Sequence, residues 1–254
     1  MGFKPMFLAV DIGNTSISFA LFEKKIIKKC FRIVSDRDFS CQKYIELITK
    51  ELDKEVIKKC VIASVVNGLE ETLKQACDSI FDINSLILDD KVKTGIILDV
   101  AHPETVGADR IANACAVCAK YKLPAIVIDL GTATTFDIVS KDKKFYGGII
   151  MAGLDMQLKA LNDYTSKLPR LKVAKSEKAI GTTTETAMMS GVVRGSAFAI
   201  DGLIRQCEIE MGEKATIVLT GGYSSMVSDY MTRKPDDINP NLTLEGLLFV
   251  GENN

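Results

Sequence analysis

The sequence has no tryptophan and one histidine, His102, in 254 residues. Acid–base chemistry near neutral pH therefore falls mainly to carboxylates, unless His102 itself is used. His102 precedes Pro103 in an expected loop, where a plain surface histidine and a catalytic one both fit. Long apolar runs are also lacking. None approaches the roughly 18 residues of a membrane helix, so no membrane span is expected. The apolar stretch Phe7 to Val10 is cut by Asp11 and is too short for the core of a signal peptide. Charge of one sign is missing as well. With 32 Lys and Arg against 33 Asp and Glu the net charge is −1, and no like-charge block suggests a nucleic-acid or membrane partner. The densest basic run, Lys24-Lys25 with Lys28-Lys29, reads as a solvated face. The 7 cysteines are odd in number, so a reduced, cytoplasmic protein is expected. Cys115-x-x-Cys118 lies in a predicted helix with no second pair and no histidine nearby. Small buried core residues suit that pair better than a metal or redox site.

What the sequence does have is a repeat. AVDIGNTSISFALF (Ala9 to Phe22) and VIDLGTATTFDIV (Val127 to Val139) share one pattern. Each runs from aliphatics to Asp, one apolar residue, Gly, small hydroxyl or amide residues, then apolar residues again. Around each copy the periodicity predicts three consecutive strands: Phe7 to Asp11, Ser16 to Phe22 and Ile26 to Ile33, then Ala125 to Asp129, Thr134 to Val139 and Phe145 to Ile150. Helices are predicted at Phe39 to Leu52, Leu69 to Ile80 and Val106 to Tyr121, with strands at Cys60 to Val65 and Ser85 to Leu88. The second half adds helices at Leu154 to Tyr164, Thr184 to Met211, Tyr223 to Met231 and Leu242 to Val250, and a strand at Ala215 to Leu219. The chain thus reads as two copies of one α/β unit, with domains expected at 1–122 and 123–254. Apolar residues at 47% are enough for a substantial core.

A turn of Gly with Thr or Asn lets backbone amides approach a ligand closely. Hydroxyls and amides can donate to phosphate oxygens, and an Asp at the strand end can hold a cation that touches phosphate. Two such hairpins could grip a polyphosphate and its Mg²⁺ from both sides. Two ordinary hairpin turns are the plain alternative, against which two copies between apolar strands weigh. A third segment, TIVLTGGYS (Thr216 to Ser224), puts a Gly-Gly turn between a strand and a helix. It could leave flat space for a base or ribose, or be only a flexible helix start.

In that order, DIGNT, DLGTATT and TGG resemble the phosphate 1, phosphate 2 and adenosine motifs of the acetate and sugar kinase, Hsc70 and actin superfamily. HPETVGADRIANACA (His102 to Ala116), GGIIMAGLDMQLKALNDYTSKLPRL (Gly147 to Leu171), IGTTTETAMMSGVVRG (Ile180 to Gly195) and NPNLTLEGL (Asn239 to Leu247) narrow the resemblance to type III pantothenate kinases. It covers nearly the whole chain. It implies an α/β fold of duplicated actin-like (ribonuclease H-like) domains, each a mixed sheet flanked by helices, with an interdomain cleft. It implies ATP-dependent phosphorylation of pantothenate, the first step of coenzyme A biosynthesis, by a cytoplasmic homodimer using ATP, Mg²⁺ and a monovalent cation, K⁺ or NH₄⁺. By the same resemblance Asp11, Ile12, Gly13, Asn14, Thr15, Ser16, Ile17 and Ser18 cradle the ATP phosphates, with Asp11 near Mg²⁺, and Thr132 also contacts ATP. Asp129 holds the monovalent cation. Gly107, Ala108, Asp109, Arg110 and Thr184 meet pantothenate, as does position 100.

Pantothenate offers a primary alcohol and, at its other end, a carboxylate. Asp109 can accept the hydroxyl proton as the alcohol attacks the γ-phosphorus. Arg110 can pair with the carboxylate or stabilise transferred charge. A helix-initial Asp beside a surface Arg is the plain alternative. Gly191 and Gly195, four apart on the long helix, suit close helix packing, in a dimer interface or within one chain. Three positions depart from the family pattern: Val100 stands for a Tyr, Thr183 for an Asn and Ala152 for a Pro, which bears on the contacts at the pantoate end. Two rivals stand beside the kinase. One is a non-catalytic regulatory relative of the transcriptional accessory factor kind, against which intact Asp11, Asp109 and Asp129 argue. The other is a superfamily phosphatase acting on polyphosphate or guanosine phosphates, which should carry a water-activating Glu and lack the Gly-x-Asp-Arg pair.

Overall fold

The computed structural model describes residues 5–52 and 55–254. In chain order the elements begin with β1 (Met6–Ile12), β2 (Ser16–Glu23), β3 (Ile26–Val34), α1 (Cys41–Leu52), β4 (Ile57–Ser64), α2 (Leu69–Phe81), β5 (Leu86–Ile87), β6 (Ile97–Leu98) and α3 (Ala108–Lys120). They continue with β7 (Ala125–Leu130), β8 (Ala133–Val139), β9 (Lys144–Ala152), α4 (Leu154–Asp163), α5 (Thr184–Met189), a π-helical turn (Ser190–Arg194) and α6 (Gly195–Met211). The chain ends with β10 (Thr216–Thr220), α7 (Ser224–Ser228), β11 (Asp237–Ile238) and α8 (Leu242–Asn253).

The two halves repeat one topology. The first sheet runs β3-β2-β1-β4-β5, and the second contains β9-β8-β7-β10-β11 in the matching order. In each, the first three strands form an antiparallel meander. The next two join parallel to the first. Parallel neighbours need crossovers, which the intervening helices supply. The repeated phrase occupies the same hairpin in both copies. Ile12 pairs with Ile17 across the first hairpin and Leu130 with Thr134 across the second, so the first loop is one residue longer.

Contacts divide the chain into two compact units, one reaching Lys120 and including Asn241–Asn254, the other Tyr121–Pro240. The expected 123–254 domain is corrected at its tail. α8 belongs to the first unit because its apolar residues have their partners there. Leu244, Leu247, Leu248 and Val250 share a core with Ala9, Ala20, Val61, Ile111 and Cys115. Gly246 lies flush on the Ala112 carbonyl, with no room for a Cβ. Thr243 Oγ1 donates to the buried Asn113 Oδ1 at 2.8 Å. The opposite face of the same sheet packs Val10, Phe19, Ile48, Ile62 and Leu73 beneath α1 and α2. In the second unit Ile128, Phe136, Leu158, Val193, Ile200 and Leu219 form one core under α4, α6 and α7.

Several helices differ from their predicted bounds, and three of the differences have a hydrogen-bond cause. α1 starts at Cys41 rather than Phe39, because the Ser40 hydroxyl accepts the Lys43 N–H at 3.2 Å and caps it. α7 covers only Ser224–Ser228, because Ser228 Oγ bonds the Ser225 carbonyl and the Tyr230 N–H reaches back to Val227, tightening the turn. The Thr184 to Met211 helix is broken by its π turn, where Arg194 reaches out to the Ser176 and Glu177 carbonyls. Among the described residues this run alone is long and apolar enough to cross a membrane by length and composition. It contains Glu185, Arg194, Asp201 and Arg205, and buries Val192, Val193, Ala197, Ile200 and Ile204 in the core of its unit.

Candidate active site

The first unit brings two of the expected site segments together. The loop after β1 closes through the Gly13 N–H, which donates to the Ser16 carbonyl at 3.1 Å, and it leaves Asn14 and Thr15 exposed. Beside it, the Val65 N–H donates to the Ile12 carbonyl at 3.1 Å. Val65 in turn faces Gly107: a Cβ on Gly107 would meet Val65 Cγ1 at 3.6 Å. The phosphate-like hairpin Asp11 to Ser18 and the Gly107-Ala108-Asp109-Arg110 turn are thus neighbours through one residue.

Gly107 caps α3, accepting the Arg110 N–H at 3.0 Å and the Ile111 N–H at 3.1 Å. Its missing side chain has a use. A Cβ there would stand 2.5 Å from Asp109 Oδ1, so the carboxyl occupies the space a side chain would take. Burial pushes the Asp109 carboxyl up from the ordinary carboxylate range. The Arg110 N–H, which donates to Oδ1 at 2.8 Å, and the Arg110 charge oppose that shift. A recessed carboxylate of raised pKa at a helix start is a proton acceptor better matched to neutral pH than an exposed Asp. Val100 is half-buried two residues beyond β6. His102 is exposed, with Nδ1 3.3 Å from Glu104 Oε1.

The second unit gathers three segments around Asp129. Thr220 pairs with Asp129 across the parallel β7–β10 ladder. The next residue, Gly221, has φ +86°, and a Cβ there would meet Asp129 Oδ1 at 2.5 Å and the Leu130 backbone at 2.6 Å. The Thr220-Gly221-Gly222 turn therefore lies directly against the Asp129 carboxylate. Gly153, which opens α4, is packed just as closely on the Thr132 and Gly131 carbonyls. Asp155 Oδ2 then accepts the Tyr223 hydroxyl at 2.6 Å, which, after burial, helps raise the Tyr223 pKa to about 12. Gly153, Asp155 and Tyr223 were missed as a group by sequence reasoning. The signal was the glycine before α4 and the Gly-Gly-Tyr run after β10, both places of close backbone approach.

Thr184 opens α5, exposed. Thr183 forms a capping box with Thr186, its N–H donating to Thr186 Oγ1 at 3.0 Å. A Thr does the capping work an Asn would do. Among the described residues no group of three or more His, Cys, Asp or Glu side chains is arranged to hold a metal. All 7 cysteines are free thiols, and burial pushes Cys115 up to about 12, as expected of a core residue.

A sequence profile of the family described as "Type III pantothenate kinase" matches residues 7–206. The chain belongs to the type III pantothenate kinase family. A type III pantothenate kinase of Exiguobacterium sibiricum is 37% identical over 254 residues, 98% of this chain and 100% of that protein. A conserved candidate Baf family transcriptional activator from Campylobacter jejuni has a similar fold, with a TM-score of 0.60 at 22% identity and coverage of 96% of both chains. An inorganic polyphosphate/ATP-glucomannokinase from Arthrobacter sp. strain KM superposes at a TM-score of 0.51 with 14% identity, covering 98% of this chain and 97% of that one. Membership in the pantothenate kinase family and likeness to a sugar kinase agree with the two matching sheets. The fold is the duplicated, actin-like α/β architecture.

Proposed function

We infer that this chain transfers the γ-phosphoryl group of ATP to the primary alcohol of pantothenate, giving 4'-phosphopantothenate, the first step of coenzyme A biosynthesis. Family membership along nearly the whole chain carries the activity. The observation that supports these residue roles is the Asp109 carboxyl, recessed into the space left by Gly107 and one residue removed from the Asp11 to Ser18 hairpin. MgATP is the substrate, its phosphates held by the backbone and hydroxyls of that hairpin. Asp109 takes the proton of the attacking alcohol, and Arg110 pairs with the pantothenate carboxylate. Phosphoryl transfer is loose and asks mainly for positioning and charge, which a fixed turn supplies.

Asp129 is the reading's monovalent cation residue, with Thr132 on ATP and Thr184 on pantothenate. One carboxylate among the Leu130, Gly131 and Gly221 backbone suits K⁺ or NH₄⁺ better than a divalent ion, which would want more charge. The chain acts in the cytoplasm as a homodimer. In support, Gly191, Gly195, Phe198, Gly202 and Ile209 are exposed along one stripe of the long helix, and a two-fold contact needs such a self-complementary surface. ADP release by the purified chain, with and without pantothenate, tests the activity. No pantothenate-dependent ADP would sink it. Light scattering at micromolar concentration tests the dimer, and a monomer mass would refute it.

A further inference from the structure

We propose that Arg32 is a further ATP-binding residue, a guanidinium that holds the nucleotide's phosphates over the first hairpin. The inference rests on the reading that the chain is an ATP-dependent kinase.

The sheet register places it. Asp11 pairs with Ser18 across β1–β2, and Ser18 pairs with Arg32 across β2–β3. Directly opposed residues of an antiparallel pair project from the same face. Asp11, Ser18 and Arg32 therefore form one row on one face, spanning about 10 Å from two strand spacings of about 4.8 Å. That is within reach of a phosphate chain and an extended Arg side chain. The strand beneath is held. On the opposite face Phe31 stacks on Phe19 with ring centroids 4.6 Å apart, and two residues from Arg32 the Cys30 thiol reaches Asn241 Oδ1 at 3.8 Å.

Charge bookkeeping points the same way. Asp11 to Ser18 contains no basic residue, so the hairpin offers a polyphosphate only backbone and hydroxyl donors. The lysines around Arg32 are spoken for: Lys25 by Glu252 at 3.0 Å, Lys28 by Glu23 at 2.8 Å and Lys29 by Glu51 at 2.8 Å. Glu245, on α8, is paired with Lys120 at 2.5 Å. Among the described residues Arg32 has no hydrogen bond or ion pair. A planar guanidinium suits bidentate contact with phosphate oxygens. Charges on an edge strand also serve to block sheet extension. On β3 the exposed Lys28, even while paired with Glu23, already places charge on that edge without the Asp11 row.

The test uses the full chain with Arg32→Gln, which keeps much of the stem, and Arg32→Lys. Steady-state ADP release at saturating pantothenate gives the KM for ATP, and calorimetry gives affinities for ATP, ADP and adenosine. Arg32→Gln should raise the ATP KM at least about tenfold, the loss of one charged hydrogen bond. Adenosine affinity, pantothenate KM and melting temperature should stay unchanged. Arg32→Lys should recover part of the loss. An unchanged ATP KM, an equal loss for adenosine, or a rise in pantothenate KM alone would overturn the proposal. Should the wild-type chain release no ADP with pantothenate, the kinase reading fails. The calorimetric comparison of ATP with adenosine still decides Arg32.

Discussion

Gly107→Ala is the change that most directly probes how the site is built. The substituted methyl would stand 2.5 Å from Asp109 Oδ1 and 3.6 Å from Val65 Cγ1. Real Cβ contacts are no closer than 3.0 Å, so the carboxyl must move by at least 3.0 − 2.5, about 0.5 Å. The Gly107 φ lies outside the left-handed region, so alanine introduces no backbone strain. Replacing a glycine cap by alanine should cost about 1 kcal/mol or less. The fold should therefore survive while the carboxyl of the proposed base is displaced. Misplacement by about 1 Å can cost 10²-fold in rate, so half of that should lower kcat roughly 10-fold.

The assay is ADP release at saturating ATP and pantothenate, beside ATP affinity by calorimetry and a melting curve. We expect a lower kcat, an unchanged ATP affinity and a melting temperature within a few degrees of the parent. The decisive arm combines Gly107→Ala with Asp109→Asn. If Gly107 acts only by making room for the carboxyl, the double variant should be no slower than Asp109→Asn alone. Wild-type turnover by Gly107→Ala would refute the packing argument. Fully additive losses would show that Gly107 contributes independently, by touching substrate itself.

Asp109→Asn should lower kcat at least about 10²-fold, the lower range for losing a general base, with ATP binding kept; near-normal turnover would reduce Asp109 to a positioning residue. The raised Asp109 pKa also has a sign for stability: the native state holds that proton more tightly than the unfolded chain does, so its contribution is present at low pH and is lost as pH rises through the folded value. Asp109→Asn should therefore melt slightly higher than wild type at neutral pH, while the acid limb of wild-type kcat/KM should lie above the usual carboxylate range. Arg110→Ala should raise the pantothenate KM about 10- to 150-fold, the 1.5–3 kcal/mol of a charged hydrogen bond. Pantothenol, which lacks the carboxylate, should be indifferent, and equal losses on both would place Arg110 on phosphate. Asp129→Ala should abolish activation by K⁺ or NH₄⁺, and full activity of the wild type in buffer free of both would refute the cation assignment. Gly246→Ala should destabilise the first unit by about 1–3 kcal/mol, the overpacking range, because the Ala112 carbonyl occupies the space; an unchanged melt would refute that helix contact.

The strands and both hairpins were legible because apolar alternation and Asp-x-Gly turns are local signals. The helix ends were not, since Ser40, Ser228 and Arg194 set them by specific hydrogen bonds. Neither was the place of α8. Its apolar residues advertise a buried helix, but nothing local says which sheet buries them; the core they share with Ala9, Val61 and Ile111, the Gly246–Ala112 contact and the Thr243–Asn113 bond assign it to the first unit. Within the site, the Gly107-to-Arg110 turn could be found from its motif. The Tyr223–Asp155 bond could not, because it joins residues 68 apart through side chains that no periodicity marks.

The duplication gives each copy the same carboxylate and then surrounds it differently. Asp11 pairs with Ala63 and Asp129 with Thr220, so Ser64 in the first copy corresponds to Gly221 in the second. Ser64 keeps a side chain, which bonds the Val66 N–H at 3.1 Å, and the next residue, Val65, leads to Gly107 and the Asp109 turn. Gly221 has none, and its backbone closes directly on Asp129. One carboxylate is left beside the turn that carries Asp109, the proposed base; the other is enclosed by the Gly221 and Leu130 backbone, where the proposed K⁺ or NH₄⁺ would sit. A repeated scaffold thus gives the two carboxylates different surroundings, and at this one position the copies differ in whether a side chain is present.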